Sequence, residues 1–210
     1  HTVILEGLAG ELTEKQQELL NRSQARMQGL LDMINDLLDV SKIESGHAIQ
    51  EQVPLRLDEI LKEITALMNE KAAEQGIALQ LELGSELPMI QADPRSMEEV
   101  FTNLLSNAIN YSPEGGTVTV SALSHGEYLE LLVSDTGIGI AQDEIPRIFE
   151  KFYRVKPPET RKVVGSGLGL SIVKGIIEAH RGSVEVESEP GVGTTFRVLL
   201  PTISPSSPES

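Results

Sequence analysis

The chain has 210 residues, 40% of them hydrophobic but only 3% aromatic, and carries a formal charge of −15. Its core must be built from Leu, Ile, Val and Met, with material for one good domain and a smaller appendage. The acidic balance excludes nucleic acid as the main partner, because no basic surface is available to neutralise phosphates; the absence of Cys excludes disulfides and thiolate metal sites.

An anionic ligand would need local backbone amides, a basic patch or a metal ion to offset this field. No apolar run approaches the ~20 residues that cross a bilayer, and nothing at the start reads as a signal peptide. A soluble, cytoplasmic piece is expected, with any membrane attachment confined to upstream segments.

From Glu11 to about Glu44 the sequence predicts a long amphipathic helix. Leu20, Ser23, Met27, Leu30, Ile34, Leu37 and Ser41 alternate steps of three and four, a coiled-coil-like seam. Thr13 is the expected N-cap, with Gln16 in capping-box position, and Ser45-Gly46 the stop. Either the helix packs on its own domain or it joins an intermolecular bundle. Its length at a chain end favours the bundle.

Beyond it, alternation predicts strands at Val53–Leu57, Ile77–Leu83, Thr117–Ser124, Tyr128–Asp135, Ser183–Glu189 and Thr194–Leu200. Helices are expected at Asp58–Gln75, Pro94–Tyr111 and Leu168–His180. Pro113-Glu114-Gly115-Gly116 reads as a turn, and residues 204–210 as a disordered tail.

Three segments carry chemistry. Asn103, Asn107 and Asn110 fall at i, i+4 and i+7, on one helix face. Neutral amide oxygens there can complete the shell of a Mg²⁺ whose other ligands are phosphate oxygens; a solvated polar face is the alternative. Asp135-Thr136-Gly137-Ile138-Gly139-Ile140 follows an apolar strand. Its carboxylate can accept from an exocyclic amine, and the glycines admit a flat ring; an ordinary Asp-Thr-Gly turn is the other reading. Gly165-Ser166-Gly167-Leu168-Gly169-Leu170 opens a helix, where free amides attract an anion. No strand precedes it, only the polar stretch 155–164, which reads as a mobile loop, so a Rossmann fold is disfavoured.

Taken in order, these segments resemble the motif set of sensor histidine kinases across roughly residues 11–201. Asn103 to Tyr111 looks like the N box, Asp135 to Ile140 the G1 box, Ile148-Phe149-Glu150-Lys151-Phe152-Tyr153-Arg154 the F box, and Gly165 to Leu170 the G2 box. Gly191-Val192-Gly193-Thr194-Thr195-Phe196 matches the strand closing the adenine pocket. The resemblance implies an α+β fold: a two-layer α/β sandwich, its mixed sheet packed on helices in the GHKL-type ATP-binding fold. Residues 1–46 would be part of a helical dimerisation domain, 47–203 the catalytic domain and 204–210 the tail.

The same resemblance implies that ATP and Mg²⁺ are bound. Asn107 would hold the metal and Asn103 would lie near the phosphates. Asp135 would bind the adenine amine, assisted by Thr195. Gly137, Gly139 and Ile140 would line the base, and Tyr111 would lie beside the nucleotide. Gly165, Gly167, Leu168, Gly169 and Leu170 would shape the lid and phosphate-facing helix end, and Arg154 would reach the terminal phosphate. Asn110 stands where many members carry Lys. Asn103 stands where related ATPases place a water-activating Glu, and an amide is no general base. Expected partners are a response-regulator receiver domain and a second copy through the helix bundle. None of His1, His47, His125 and His180 sits in the family's His-Glu/Asp-Leu-Arg/Lys-x-Pro-Leu acceptor box. The acceptor is therefore expected upstream of residue 1, with His180 a helix-capping side chain.

Overall fold

The structure, a computed structural model, describes residues 13–46, 49, 51–113, 115–155 and 165–203. The expected tail, His1, His47 and most of the 155–164 loop lie outside these residues.

Helix α1 spans Glu14–Glu44 and begins as its sequence dictates. Thr13 Oγ1 accepts from Gln16 N, and the Gln16 side chain answers the Thr13 backbone, completing the capping box. It ends at Ser45, followed by Gly46 at φ 75°. Strand β1 (Val53–Leu55) is shorter than expected, because α2 (Leu57–Glu74) already starts at Leu57.

Strand β2 (Ile77–Leu83), β3 (Ile90–Ala92) and α3 (Pro94–Asn110) follow. Three-residue β3 is too short to show an alternation, and it exists by pairing antiparallel with β1. Asp93 caps α3 by accepting from Arg95 N at 3.0 Å and Ser96 N at 3.3 Å, with Pro94 in the first turn. Strands β4 (Gly116–His125) and β5 (Tyr128–Asp135) form a hairpin. A 3-10 turn at Ile145–Arg147, helix α4 (Gly169–Ala179), β6 (Ser183–Glu189) and β7 (Gly193–Pro201) complete the chain.

The main sheet has the order β2-β4-β5-β7-β6. Only β2 and β4 run parallel, so the sheet is mixed. The alternation of each strand sends one set of side chains into the core. Val118, Val120, Leu129, Leu131, Val133, Phe196, Val198 and Leu200 meet Leu61, Phe101, Leu104, Leu105, Ile172 and Ile176 from the helices. The other face carries Thr119, Ser121, Glu130 and Arg197, and among the described residues no helix covers it. This is the two-layer mixed sandwich that the sequence implied.

Helix α1 also packs on the sandwich, through α4. Ile43 fills a notch above Gly175, where an added Cβ would lie 2.6 Å from the Ile43 side chain. Lys151 pairs with Glu44 and Ser166 Oγ donates to Asp36. The opposite side of α1 stays bare, with Leu31, Ile34, Leu37 and Leu38 all at least half exposed. Among the described residues no helix is long and apolar enough to cross a membrane.

Candidate functional site

A cleft of about 750 Å³ opens where the C-terminal ends of β5 and α3 meet the start of α4, within the usual range for small-molecule sites. Asn103, Asn107, Asn110 and Tyr111 line it from α3. Asp135, Gly139 and Ile140 line it from the loop after β5, Arg154 and Gly165 from either side of the loop, and Gly167, Gly169 and Leu170 from the start of α4. Distant stretches of sequence thus converge on one cavity.

At one end sits Asp135, only 9% exposed. Its Oδ1 accepts from Gly137 N at 2.9 Å. Burial pushes its carboxyl up to about 6, against the opposing pull of backbone hydrogen bonds from Gly137 and Thr194. At neutral pH it is therefore a desolvated carboxylate facing a pocket, a group that favours a donor.

The other end holds the asparagines and the start of α4. Asn103 Nδ2 donates to Glu99 O at 3.0 Å and Asn110 Nδ2 to Ser106 Oγ at 3.2 Å. Asn107 lines the cleft with no hydrogen-bond partner for its side-chain amide among the described residues. Helix α4 has no side-chain cap at Leu168, so its first amides are open to an anion. A Cβ on Gly169 would lie 2.7 Å from Asn103 Oδ1; glycine lets the helix end approach the asparagine face. Arg154 Nη1 donates to Gly165 O at 3.0 Å, bridging the two sides of the loop.

Three expected positions are corrected. Thr195 points to the opposite face of the sheet, where its hydroxyl bonds Ser134 Oγ at 2.9 Å. Its neighbour Thr194, 6% exposed, pairs with Asp135 across the strands and lines the cleft. Strand parity decides this: Thr194 shares the inward set with Phe196 and Val198. Leu168 is fully buried in the core, not in the cleft. Gly137 lies beneath the cleft wall, where a Cβ would sit 2.2 Å from Tyr111 O.

The reason for the Asp135-loop glycines also changes. A Cβ on Gly139, at φ 66°, would lie 2.0 Å from Glu189 O. Gly137 and Gly139 admit the protein's own backbone, namely the end of α3 and the β6–β7 turn. Ile138 N donates to Tyr111 O at 3.0 Å and Gly191 N to Ile138 O at 2.8 Å, so the loop is stitched on both sides.

The sequence reading missed other contributors. Arg26, Leu30, Met33 and Asp36 of α1 form one wall of the cleft, and nothing in a seam pattern says which domain a helix will lean on. Ser188 is the second omission. Its hydroxyl joins Ile140 N, Gly193 O and Thr194 Oγ1 within 2.9 Å. His180 does sit at the C-cap of α4, with Nδ1 on Ile176 O at 2.8 Å, but its Nε2 also accepts from Asp93 N at 3.1 Å. It ties the end of α4 to the start of α3.

Known proteins share this arrangement. Residues 92–204 match the family described as histidine kinase-, DNA gyrase B-, and HSP90-like ATPase. An uncharacterized sensor-like histidine kinase of Rhizobium meliloti is 37% identical over 93% of this chain, which spans 38% of that protein. The circadian input-output histidine kinase CikA of Synechococcus elongatus is 35% identical over 95% of the chain, which spans 27% of it. The chain thus spans well under half the length of these curated relatives. A crystal structure of full-length ShkA in complex with AMPPNP superposes with a TM-score of 0.77 at 30% identity, covering 96% of this chain and 42% of that one. On sequence and fold alike, the chain belongs to the histidine kinase-, DNA gyrase B- and HSP90-like ATPase family, with the catalytic-domain architecture of sensor histidine kinases.

Proposed function

We propose that this chain is the ATP–Mg²⁺-binding catalytic part of a cytoplasmic sensor kinase region. The observation that carries the reading is one cleft with opposite chemistry at its two ends. A desolvated Asp135 carboxylate waits for an amine donor, and uncapped helix amides with Asn107, unpaired among the described residues, wait for an anion and its metal. Adenine and triphosphate supply that pair of groups.

The donor set fits magnesium. Among the described residues no cluster of three His, Cys, Asp or Glu could hold a metal alone. Mg²⁺ is ordinarily held by one or two protein oxygens together with phosphate oxygens and water. Asn107 would supply the protein oxygen, with Asn103, its amide nitrogen already committed to Glu99 O, presenting Oδ1 beside it. The metal, when bound, neutralises charge on the phosphates. Asp135 and Thr194 orient the base, Tyr111 and Ile140 wall it from water, and the α4 amides with Arg154 hold the phosphate end. Catalysis is then positioning and charge neutralisation.

Transfer to a protein histidine is favoured over hydrolysis. Asn103 cannot act as a general base, and Glu99, one turn earlier, does not line the cleft and faces Asp39 of α1. In the whole protein the phosphoryl group would pass to a histidine and then to an aspartate of a response-regulator receiver domain. The bare stripe of α1 would pair with a second copy in a helical bundle. The test is a calorimetric titration of ATP with and without Mg²⁺. Asn107→Ala is expected to abolish the magnesium-dependent gain in affinity while leaving metal-free binding within about threefold. An undiminished magnesium effect in the variant would remove Asn107 from the metal site.

A further inference from the structure

Ser188 stands outside the cleft, and no motif reading assigns it a role. Its hydroxyl has three neighbours: Ile140 N at 2.8 Å, Gly193 O at 2.9 Å and Thr194 Oγ1 at 2.9 Å. A serine hydroxyl has one proton to give and two lone pairs to receive with. The amide of Ile140 can only donate, so Ser188 accepts there. The carbonyl of Gly193 can only accept, so the Ser188 proton goes there. All three bonds then coexist in one arrangement only, with the Thr194 hydroxyl donating its proton to Ser188.

The consequence lies in the cleft. With its proton turned away, Thr194 Oγ1 offers only lone pairs to a ligand. Beside it Asp135, paired with Thr194 across the strands, is also an acceptor. That end of the cleft therefore reads donors on both groups. An exocyclic amine has two N–H bonds to give, whereas a carbonyl oxygen at the same ring position has none and meets lone pairs.

The geometry points to Ser188 as a positioning residue for base specificity: by fixing the polarity of the Thr194 hydroxyl, it makes the cleft prefer a 6-amino purine over a 6-oxo purine. This inference rests on the proposed nucleotide reading but assigns a property to a residue that does not touch the ligand. It also explains why one side chain on β6 is tied to both the Asp135 loop and the head of β7. Charge on Asp135 supplies part of the discrimination; Ser188 supplies the share that passes through Thr194.

The experiment is a calorimetric comparison of ATP with inosine triphosphate in the unaltered chain, Ser188→Ala, Thr194→Val and the double variant, each checked for folding by thermal melting. Ser188→Ala frees the Thr194 hydroxyl to donate, and the ATP-to-inosine preference is expected to fall roughly fivefold, the size set by one neutral hydrogen bond. The double variant is expected to match Thr194→Val within twofold, because Ser188 acts only through that hydroxyl. Thr194→Ser keeps the donor and is expected to keep the preference, which tests the idea even if Ser188→Ala folds poorly. Equal losses for both nucleotides in Ser188→Ala, with the preference intact, would reduce Ser188 to a structural tie and overturn the inference while leaving the proposed function standing. Failure of the unaltered chain to bind ATP would overturn both.

Discussion

Asp135 is the residue on which the site turns, and its environment sets two opposed expectations. Burial raises its carboxyl from 3.8 to about 6. A raised carboxyl contributes stability that is complete below the unfolded value and lost as pH rises through the folded one. The ligand-free fold therefore carries a strained charge at neutral pH, and Asp135→Asn is expected to raise the melting temperature at pH 8. A lower melting temperature there would show that the backbone bonds outweigh desolvation. Nucleotide binding has the opposite sign: it needs the carboxylate, so affinity should fall as pH drops through about 6. His180 is the second informative residue. It is 3% exposed, and burial lowers its imidazole from the usual 6.5. A depressed pKa means stability present above 6.5 and lost as pH falls through the lower folded value. Replacing it by Ala removes the ring's hydrogen bonds to Asp93 N and Ile176 O and opens a cavity. A loss of about 2–4 kcal/mol is expected in urea unfolding at pH 7.5. A loss under about 1 kcal/mol would mean that water replaces the ring.

At the scale of elements, the long helices and five sheet strands were legible because periodicity and caps are local. Thr13 with Gln16, Asp93 with Pro94 and the alternation of β5 each state their structure within a few residues. What was not legible depends on partners. Strand β3 exists through β1, and Thr194 rather than Thr195 enters the cleft because of the register with β5. The glycine boxes gave the right loops for a different physical reason, since backbone, not ligand, occupies the space a Cβ would take at Gly137 and Gly139. The docking of α1 was the least visible of all, and it carries its own prediction. Glu99 of α3 is raised to about 7, first by burial and then by Asp39 and Asp36 of α1, with Lys42 opposing. Protonation therefore favours the docked helix, an effect complete below about 4.5 and lost as pH rises through about 7. Fluorescent labels on cysteines introduced at Arg22 and Glu178 should move apart between pH 6 and 8, and Glu99→Gln should remove that step. A pH-independent separation would show that Ile43, Glu44 and Asp36 hold the helix without help from Glu99.

The whole molecule joins a nucleotide cleft to a helix with two faces, one packed on the sandwich and one bare. Neither described histidine suits phosphoryl acceptance. His180 is buried with both ring nitrogens engaged, and His125 sits at the β4–β5 turn, at the opposite end of that hairpin from Asp135. Incubated with γ-labelled ATP, this 210-residue chain should take up no acid-labile label; such a label would show that one of its four histidines is an acceptor. All of this presupposes that ATP occupies the cleft with its base on Asp135. The direct measurement is calorimetric titration of ATP–Mg²⁺ into the unaltered chain and into Asp135→Asn at pH 7.5. Loss of a charge-assisted hydrogen bond in a buried site costs about 1.5–3 kcal/mol, so the dissociation constant should rise at least tenfold at unchanged stoichiometry. An unchanged constant would contradict the assignment of the cleft.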